Sequence, residues 1–332
     1  MMQKVRPLFL FLCLLVLSLS TNAQDAFFSQ FYANRLYLNP AWAGIGDEKR
    51  IFVNYRNQFP AIGSVFKTYT VSYDENIDAL QGGVGFSLSN DVQGSGALSQ
   101  MNFSAMYSHI FKVGRFLSFA GGLQASGIYR ALNASSFQFG DQYDYSSGGV
   151  ISPGGAEQYP NIVKIYPDFS AGIASFYKNS YGGISMFHLL KPYQSESRSQ
   201  ESRLPRKFTL FAGTFIPIYE NRLGKEVLQL NPNFIYIQQK NLSQMVYGLE
   251  SIYKEKFVSG IWIRQNLGIK YSAIIFSIGL VIDNIRLRYS YDAHFTAPSV
   301  RIARLGSHEI SMIIALSDAK KNKHKAIKCP KI

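Results

Sequence analysis

Cysteine is almost absent from this 332-residue sequence, which contains only Cys13 and Cys329. Cys13 lies in an apolar N-terminal run that we expect to be cleaved off, so the mature chain would keep Cys329 alone. A single cysteine excludes an internal disulfide framework and a cysteine-based metal site. The sequence also lacks an HExxH motif and a phosphate-binding loop. We therefore expect no cofactor and no metal ion.

The sequence also lacks long apolar runs, because its one clear apolar run, near the start, is short. In MMQKVRPLFLFLCLLVLSLSTNAQ, Lys4 and Arg6 precede an apolar core at 8–18, and small residues lead to Ala23. This pattern predicts a secretory signal peptide over residues 1–23. A membrane anchor is the alternative, but the core is too short to span a bilayer comfortably.

Charge is scarce, because only 17% of the residues are charged, whereas soluble domains average about a quarter. The net charge is +13, and much of the excess lies in the tail SDAKKNKHKAIKCPKI at 317–332. A basic stretch with few apolar residues predicts a tail that is disordered or ordered by a partner. Because the chain is predicted to be exported, we expect no nucleic acid among its binding partners. Anionic headgroups, cell-wall material or an acidic protein face fit better, and a solvated tail without a partner is the alternative.

Aromatic residues are abundant, at 14%, and they occur in short alternating runs. In GGVGFSLSND at 82–91, Val84, Phe86 and Leu88 alternate with glycine and serine. Successive strand side chains point to opposite faces, so such runs predict strands with one apolar and one polar face. The sequence contains fourteen candidates: 51–59, 66–74, 82–90, 98–111, 116–130, 164–177, 180–188, 207–217, 227–238, 243–253, 257–265, 271–282, 285–292 and 307–316.

The connections between these candidates alternate in length. Several that follow even-numbered strands are short, whereas the odd ones include 131–163, 189–206 and 293–306. Short turns at one end and long loops at the other are typical of outer-membrane barrels, and a sheet in lipid must close. We therefore predict an all-β fold, a single 14-stranded antiparallel transmembrane β-barrel over residues 50–316. Its apolar face would meet outer-membrane lipid, and both termini would lie in the periplasm. A large soluble β-sandwich is the alternative.

Strand parity predicts a set of charged residues that face the barrel interior on neighbouring strands. They could form an ion-pair belt that stiffens the wall or grips a plug, or they could line an ion-selective pore. The mixture of both signs favours the belt. The set is Arg56, Glu250, Arg264, Arg286, Arg288, Asp292 and Glu309.

The histidines do not indicate a hydrolase. Ser108-His109 and Ser307-His308 place a nucleophile and a base side by side, so they would point to opposite faces of a strand and not reach each other. The acidic stretch GDQYDYSSGG at 140–149 lacks the spacing of a calcium loop. We expect no catalytic residues and no enzyme activity, and a barrel lipase or protease is the alternative.

Residues 24–49, before the first strand, are rich in aromatics and too irregular for a strand. Asn39-Pro40 marks a turn, because proline disfavours helix at the residue before it. A segment this apolar would not hang free in the periplasm. We expect it to fold into the lumen as a plug or to pack under the barrel mouth, and a cap with no functional role is the simple alternative.

Four stretches carry a family resemblance. FSQFYANRLYLNPAWAG at 28–44 resembles the opening motif of the PorP/SprF family of the type IX secretion and gliding-motility machinery. GGISMFHLLKP at 182–192, LRYSYDAHFT at 287–296 and LGSHEISM at 305–312 are similar to three of its strands. The stretches occur in order across nearly the whole mature chain.

The resemblance implies a fourteen-stranded outer-membrane barrel without enzyme activity. Such proteins act in secretion, assembly or surface anchoring of type IX substrates, including large adhesins, and associate with other components of the machinery. We expect the matching residues to be structural rather than binding residues. They are Asn39, Pro40, Ala41, Gly44, His188, Leu189, Lys191, Pro192, Tyr291, Asp292, His308 and Glu309.

The sequence departs from the family in the long loop 131–163, which is rich in Gly, Ser and Tyr. Binding specificity usually resides in loops on a rigid scaffold, so we expect the three long loops to contact a secreted partner such as an adhesin. Tyr143, Tyr145 and Tyr159 are the candidate anchors, because tyrosine supplies contact area at low entropic cost. The alternative function is an outer-membrane channel for a small or hydrophobic solute, like a fatty-acid channel.

Overall fold

The computed structural model describes residues 25, 27–46, 48–60, 66–133, 161–194, 203–222, 226–267, 271–294 and 306–316. The predicted signal peptide, the basic tail with Cys329, and the candidate anchors Tyr143, Tyr145 and Tyr159 lie outside the described residues.

The predicted strands are confirmed: the described chain forms fourteen antiparallel strands, of which the eighth is interrupted. This strand consists of β8 and β9, which are separated only by Phe215 and both pair with β10. The strands are β1 (Lys49–Gln58), β2 (Phe66–Ile77), β3 (Gly82–Gln93), β4 (Leu98–Val113), β5 (Leu117–Leu132), β6 (Ile162–Tyr177), β7 (Ser180–Phe187), β8 (Lys207–Thr214), β9 (Ile216–Glu220), β10 (Glu226–Gln239), β11 (Leu242–Tyr253), β12 (Phe257–Asn266), β13 (Tyr271–Ile282), β14 (Ile285–His294) and β15 (Ser307–Leu316).

The sheet closes on itself. Neighbours in the sequence pair antiparallel, and β1 pairs with β15 in register from Lys49↔Leu316 to Gln58↔Ser307. Closure leaves no row of unpaired backbone groups at a sheet edge, as a sheet in hydrocarbon requires. The fold is therefore the predicted all-β, 14-stranded antiparallel barrel.

The two ends of the barrel differ in their connections. We call one the turn end, where the connections are short, and the other the loop end, which carries the long connections beside short ones at 94–97 and 240–241. The turns contain left-handed backbone, for example at Lys178 (φ 51°) and Asp283 (φ 49°). The turn end carries 78–81, 114–116, 178–179, 254–256 and 283–284, and the loop end carries 133–161, 188–206 and 295–306.

Alternate residues on the strands point outward and are apolar. Phe86 and Leu88 of β3, Leu123 of β5 and Ile278 of β13 are all exposed. In water such a surface would be unfavourable, whereas hydrocarbon solvates it. Among the described residues, no helix is long and apolar enough to cross a bilayer.

The barrel interior contains the chain that precedes β1. We call residues 25 and 27–46 the lumenal segment. It forms helix α1 (Arg35–Leu38), capped by the side chain of Asn34, and then a 3₁₀ turn at Pro40–Trp42, capped by the side chain of Asn39. Its largest fully buried apolar side chains are Phe28, Leu36, Trp42 and Ile45.

The inward-facing residues of the wall are apolar or aromatic where they pack against the apolar part of the lumenal segment. The Trp42 ring centroid lies 4.9 Å from that of Phe176, 5.7 Å from Tyr181 and 5.8 Å from Phe211. These inward wall residues are apolar or aromatic because they pack on an apolar partner rather than on water. The segment and wall thus share one continuous hydrophobic core inside the barrel.

The lumenal segment runs along the barrel from the loop end to the turn end. Asp25 contacts His188 and Gln239, which lie at the loop end, whereas Gly44 contacts Asp74 near the turn end. Asp25 and Leu316 therefore lie at opposite ends of the barrel, whereas the sequence predicted both termini on the periplasmic side. Which end faces the periplasm stays a prediction.

Candidate functional site

Four charged side chains from four strands converge on Ser29 of the lumenal segment. Arg56 pairs with Asp292 at 2.8 Å and with Glu309 at 3.0 Å, and Arg264 pairs with Asp292 at 3.0 Å. The Ser29 hydroxyl donates to Asp292 over 2.7 Å and accepts from both guanidinium groups. A hydroxyl has one donor and two acceptor sites, so all of its capacity is used.

The backbone of the segment is bound at the same place. The carboxylate of Glu309 accepts the N–H groups of Ser29 at 2.7 Å and Gln30 at 3.0 Å. The Gln30 amide donates to Ser290 Oγ over 3.1 Å, and its oxygen accepts from Ser311 Oγ over 2.5 Å. These contacts fix the register of the segment against β14 and β15.

A second ion pair lies beside Tyr32. Arg288 contacts Glu250 at 2.5 Å, and its guanidinium lies 4.9 Å from the Tyr32 ring centroid. Tyr32 also stacks on Trp262, with ring centroids 4.8 Å apart, and the Trp262 indole donates to Asn233 over 2.7 Å.

Asn39 locks the middle of the segment to the wall. Its amide nitrogen donates to the carbonyls of Ile173, at 3.1 Å, and Ile184, at 2.9 Å, on the paired strands β6 and β7. Its amide oxygen accepts from Ala41 N at 2.8 Å. A Cβ at Gly172 would lie 2.0 Å from that oxygen, so the wall needs glycine there.

Two further glycines let backbone approach backbone. A Cβ at Gly122 would lie 2.3 Å from Ala41 N, and one at Gly83 would lie 2.3 Å from Ala43 O. Ser108 also donates to the Ala43 carbonyl over 2.5 Å. The segment is therefore held by close steric contact in its turn-end half and mainly by charge in its loop-end half.

The exit of the segment towards β1 is also fixed. Asp74 accepts from Gly44 N at 3.0 Å and from Arg50 Nε at 2.9 Å, and Arg50 donates to the Ile45 carbonyl over 2.8 Å. Gly44 has φ +62°, a conformation that glycine adopts without strain. The chain thus turns out of the lumen at a defined residue.

At the loop end, His188 lies between two carboxylates. Its Nδ1 is 2.8 Å from Asp168 and its Nε2 is 2.7 Å from Asp25, which also contacts Lys207 at 3.0 Å. Burial by itself would lower the pKa of His188, but the charge of Asp25 and hydrogen bonds to both carboxylates raise it to about 9. Burial would raise the pKa of Asp25, yet His188 and Lys207 hold it well below its usual range. The imidazolium therefore bridges the start of the segment to the wall.

The family model described as "Type IX secretion system membrane protein PorP/SprF" matches residues 20–314. The chain belongs to the PorP/SprF family. This PorP/SprF chain is therefore a type IX secretion membrane protein with an outer-membrane barrel fold. Among curated protein sequences, none matches it.

Solved structures similar to this PorP/SprF protein are outer-membrane barrels. The CymD monoaromatic hydrocarbon channel has a TM-score of 0.50 and 10% identity over 90% of this chain and 96% of its own. Omp33 of Acinetobacter baumannii has a TM-score of 0.45 and 7% identity over 82% and 100%. A FadL homologue of Pseudomonas aeruginosa has a TM-score of 0.44 and 12% identity over 83% and 92%. At such identities only the fold is shared, and only the CymD likeness supports it.

Six of the charged residues predicted to face inward lie in the two ion-pair clusters described above, and Arg286 is half-buried on the turn-end half of β14. Among the matching family residues, His308 lies beside the Tyr289 hydroxyl at 2.8 Å on an exposed face. Lys191 adopts a left-handed conformation (φ 48°) just before Pro192. Their structural role in this PorP/SprF protein remains a prediction.

Two features of the PorP/SprF interior were missed in the sequence. Asp25 and Asp168 were not recognised as partners of His188, nor Lys207 as a partner of Asp25, because no local spacing links them. The close contacts at Gly83, Gly122 and Gly172 had a signal, since each glycine falls on the inward parity of its strand. Inward-facing strand positions usually carry a bulky or polar side chain. A glycine at such a position indicates that another part of the chain packs closely against the strand backbone.

The serine–histidine neighbours do not combine into a site. Ser108 points inward to the Ala43 carbonyl, whereas His109 lies on the outer face beside the Tyr107 hydroxyl. Within the described ranges, no three His, Cys, Asp or Glu side chains are grouped to hold a metal ion.

Proposed function

We propose that this protein is a closed docking barrel that binds a secreted surface protein at its loop end, without enzyme activity. The partner class is an adhesin or another type IX substrate, which the barrel helps to export or retains at the surface. The observation that carries the proposal is the lumenal segment, which is buried inside the wall and tied at both ends.

A filled interior supports docking over conduction. A solute channel needs a continuous aqueous path, and here Trp42, Trp262 and Phe211 are buried in one core that spans segment and wall. Opening a path would require displacing the segment, which breaks the hydrogen bonds of Ser29 with Arg56, Asp292 and Glu309. Leaving a buried polar group without its hydrogen-bond partner typically costs about 1–3 kcal/mol, and more for a charged group.

We further propose that the loop end faces the exterior and the turn end faces the periplasm. Long loops outside and short turns inside are the usual arrangement in such barrels. The loops 133–161, 188–206 and 295–306 then form the docking face, with Tyr143, Tyr145 and Tyr159 as anchors. The tail 317–332 would meet other type IX components in the periplasm.

The experiment is gentle extraction of the tagged protein from its own outer membrane, followed by mass spectrometry of co-purified proteins. Wild type is compared with a triple variant, Tyr143→Ala, Tyr145→Ala and Tyr159→Ala. The matched control is Tyr253→Ala, which removes an exposed tyrosine at the turn end. Interface tyrosines often contribute more than about 1 kcal/mol each, so the triple variant should lose the partner about a hundred-fold.

Two results would decide against docking. One is equal recovery of the partner with the triple variant and with Tyr253→Ala. The other is a lone wild-type barrel that conducts ions steadily in planar bilayers, which would favour the solute channel. If the triple variant loses the partner, the location of the partner distinguishes the two roles of the barrel. Release of the partner into the medium indicates that the barrel normally retains it at the surface. Accumulation of the partner in the periplasm indicates that the barrel normally helps to export it.

A further inference from the structure

A cavity of about 140 Å³ lies between the lumenal segment and the wall formed by β2 to β8. It extends from Gln93 and Leu98, at the loop-end ends of β3 and β4, down to Met106 and Gln124 in mid-barrel. The proposed docking function does not use it.

One side of the cavity is made of uncharged hydrogen-bonding groups. Hydroxyls and side-chain amides project from β3 and β4, namely Ser87, Ser89, Gln93, Gln100, Asn102 and Ser104. The opposite side is largely apolar, with Leu36 and Tyr37 of the lumenal segment and Phe187 and Leu204 of the wall. The cavity therefore suits a ligand with polar edges and an apolar face.

The charged groups of the lining balance one another. Three are acidic, Asp25, Asp91 and Asp168, and three are basic, Arg130, His188 and Lys207. Asp25 and Asp168 bind His188, and Asp91 accepts hydrogen bonds from Thr68 at 2.7 Å and Gln93 at 2.6 Å. A ligand with a net charge would therefore find no surplus of opposite charge in this cavity.

Two buried acceptors in the lining receive no hydrogen bond from any described residue: Gln124 Oε1 and Asp168 Oδ1. Gln124 is 6% exposed and Asp168 2% exposed, so solvation by bulk water is restricted. The Gln124 nitrogen is used, because it donates to Ser104 at 3.2 Å and Ser126 at 2.9 Å. An unsatisfied buried polar group is costly, so these atoms favour a ligand that brings donors.

We propose that this cavity binds one unit of a neutral saccharide. Each sugar hydroxyl both donates and accepts, so it can serve the two orphan acceptors as well as the serines and amides of the lining. The ring carbons would pack on the apolar side. A peptide fits less well, because the closed wall of the described strands offers no free edge to which a peptide could add.

The test uses the purified full-length protein in a zwitterionic detergent, because glycoside detergents would compete. Isothermal titration is run with glucose, galactose, mannose and N-acetylglucosamine and with neutral tetrasaccharides of each. Gln124→Met removes the orphan acceptor, Ser89→Phe fills the cavity from β3, and Gln238→Met changes a glutamine on the outer face of β10 as the control.

We expect saturable binding of at least one neutral saccharide to wild type and to Gln238→Met. Gln124→Met should weaken it about ten-fold, which equals about 1.4 kcal/mol, and Ser89→Phe should abolish it. If Gln124→Met fails to fold, Ser89→Phe still decides. The proposal is wrong if no neutral saccharide binds at millimolar concentration, or if Ser89→Phe binds normally.

A glycan on a secreted protein and a free surface polysaccharide share this chemistry. Cell-surface extract is applied to the immobilised barrel and eluted with the best free saccharide. Protein in the eluate identifies a glycan on a secreted protein as the ligand. Saccharide without protein identifies a free surface polysaccharide. Equal recovery of the partner with the triple tyrosine variant and with Tyr253→Ala, together with intact saccharide binding, would refute the proposed function and leave this site standing.

Discussion

Replacing Gly122 by alanine tests whether the lumenal segment is held by close backbone contact. The new methyl group would lie 2.3 Å from Ala41 N and 2.4 Å from the Pro40 carbonyl carbon. Real Cβ atoms essentially never approach within 3.0 Å of another heavy atom. Both opposing atoms belong to the backbone, so no side chain can rotate away. The segment or β5 must move.

The size of the effect follows from overpacking. Forcing an extra methyl group into a packed interior costs about 1–3 kcal/mol. A tenfold change in an equilibrium corresponds to about 1.4 kcal/mol, so the fraction of molecules with a displaced segment should rise about 5- to 150-fold.

Single-channel recording in planar bilayers measures this fraction as the frequency of open events, and a urea titration measures the stability. The matched control is Gly121→Ala, on the outer face of the same strand, where a Cβ would meet nothing within 4 Å. The reasoning fails if the two variants show the same open frequency and the same unfolding midpoint.

Three further predictions concern the ties of the segment. Arg56→Met leaves Asp292 and Glu309 buried without it, and the free energy of unfolding should fall by about 3–5 kcal/mol in a urea titration. Adding Glu309→Gln should recover part of the loss, and no recovery would contradict the ion-pair account. Asn39→Ala removes hydrogen bonds to buried carbonyls and should cost about 2–3 kcal/mol, whereas an unchanged midpoint would contradict its role as a lock. The pKa of His188 is raised to about 9, above the ordinary histidine value of 6.5, so its stabilisation is fully present below about pH 6.5 and is lost as pH rises through about 9. His188→Gln should remove that decline, worth about 3 kcal/mol, and a variant that keeps the decline would refute the assignment.

The strands were predictable because the side-chain period of a strand is visible locally. In the middle of β3, the outward residues Phe86 and Leu88 alternate with Gly85 and Ser87. This pattern depends on the solvent on each side of the wall and not on any distant residue. The strand order followed, because each strand pairs with its neighbour in the sequence.

The interior was harder to predict because its chemistry depends on a distant partner. Trp262 and Arg264 share one face of β12, which left the parity of that strand ambiguous in the sequence. Both are buried and point inward, because Tyr32 stacks on the indole and Ser29 binds the guanidinium. No local pattern encodes these contacts, which are specified only when the segment and the wall meet.

The contacts of Ser29 join the two ends of the polypeptide, since its partner Glu309 is 280 positions away in the sequence. The hydrogen bonds of Ser29 and Gln30 are therefore complete only once the last strands have been made. Contacts of such high sequence separation form late, after the entropy of closing the intervening chain has been overcome. We expect an incomplete ring to leave Arg56 and its carboxylate partners exposed to water, and the segment mobile. The N-terminal segment then becomes ordered only on a finished ring, which gives the cell a physical criterion for distinguishing a completed barrel from an unfinished one.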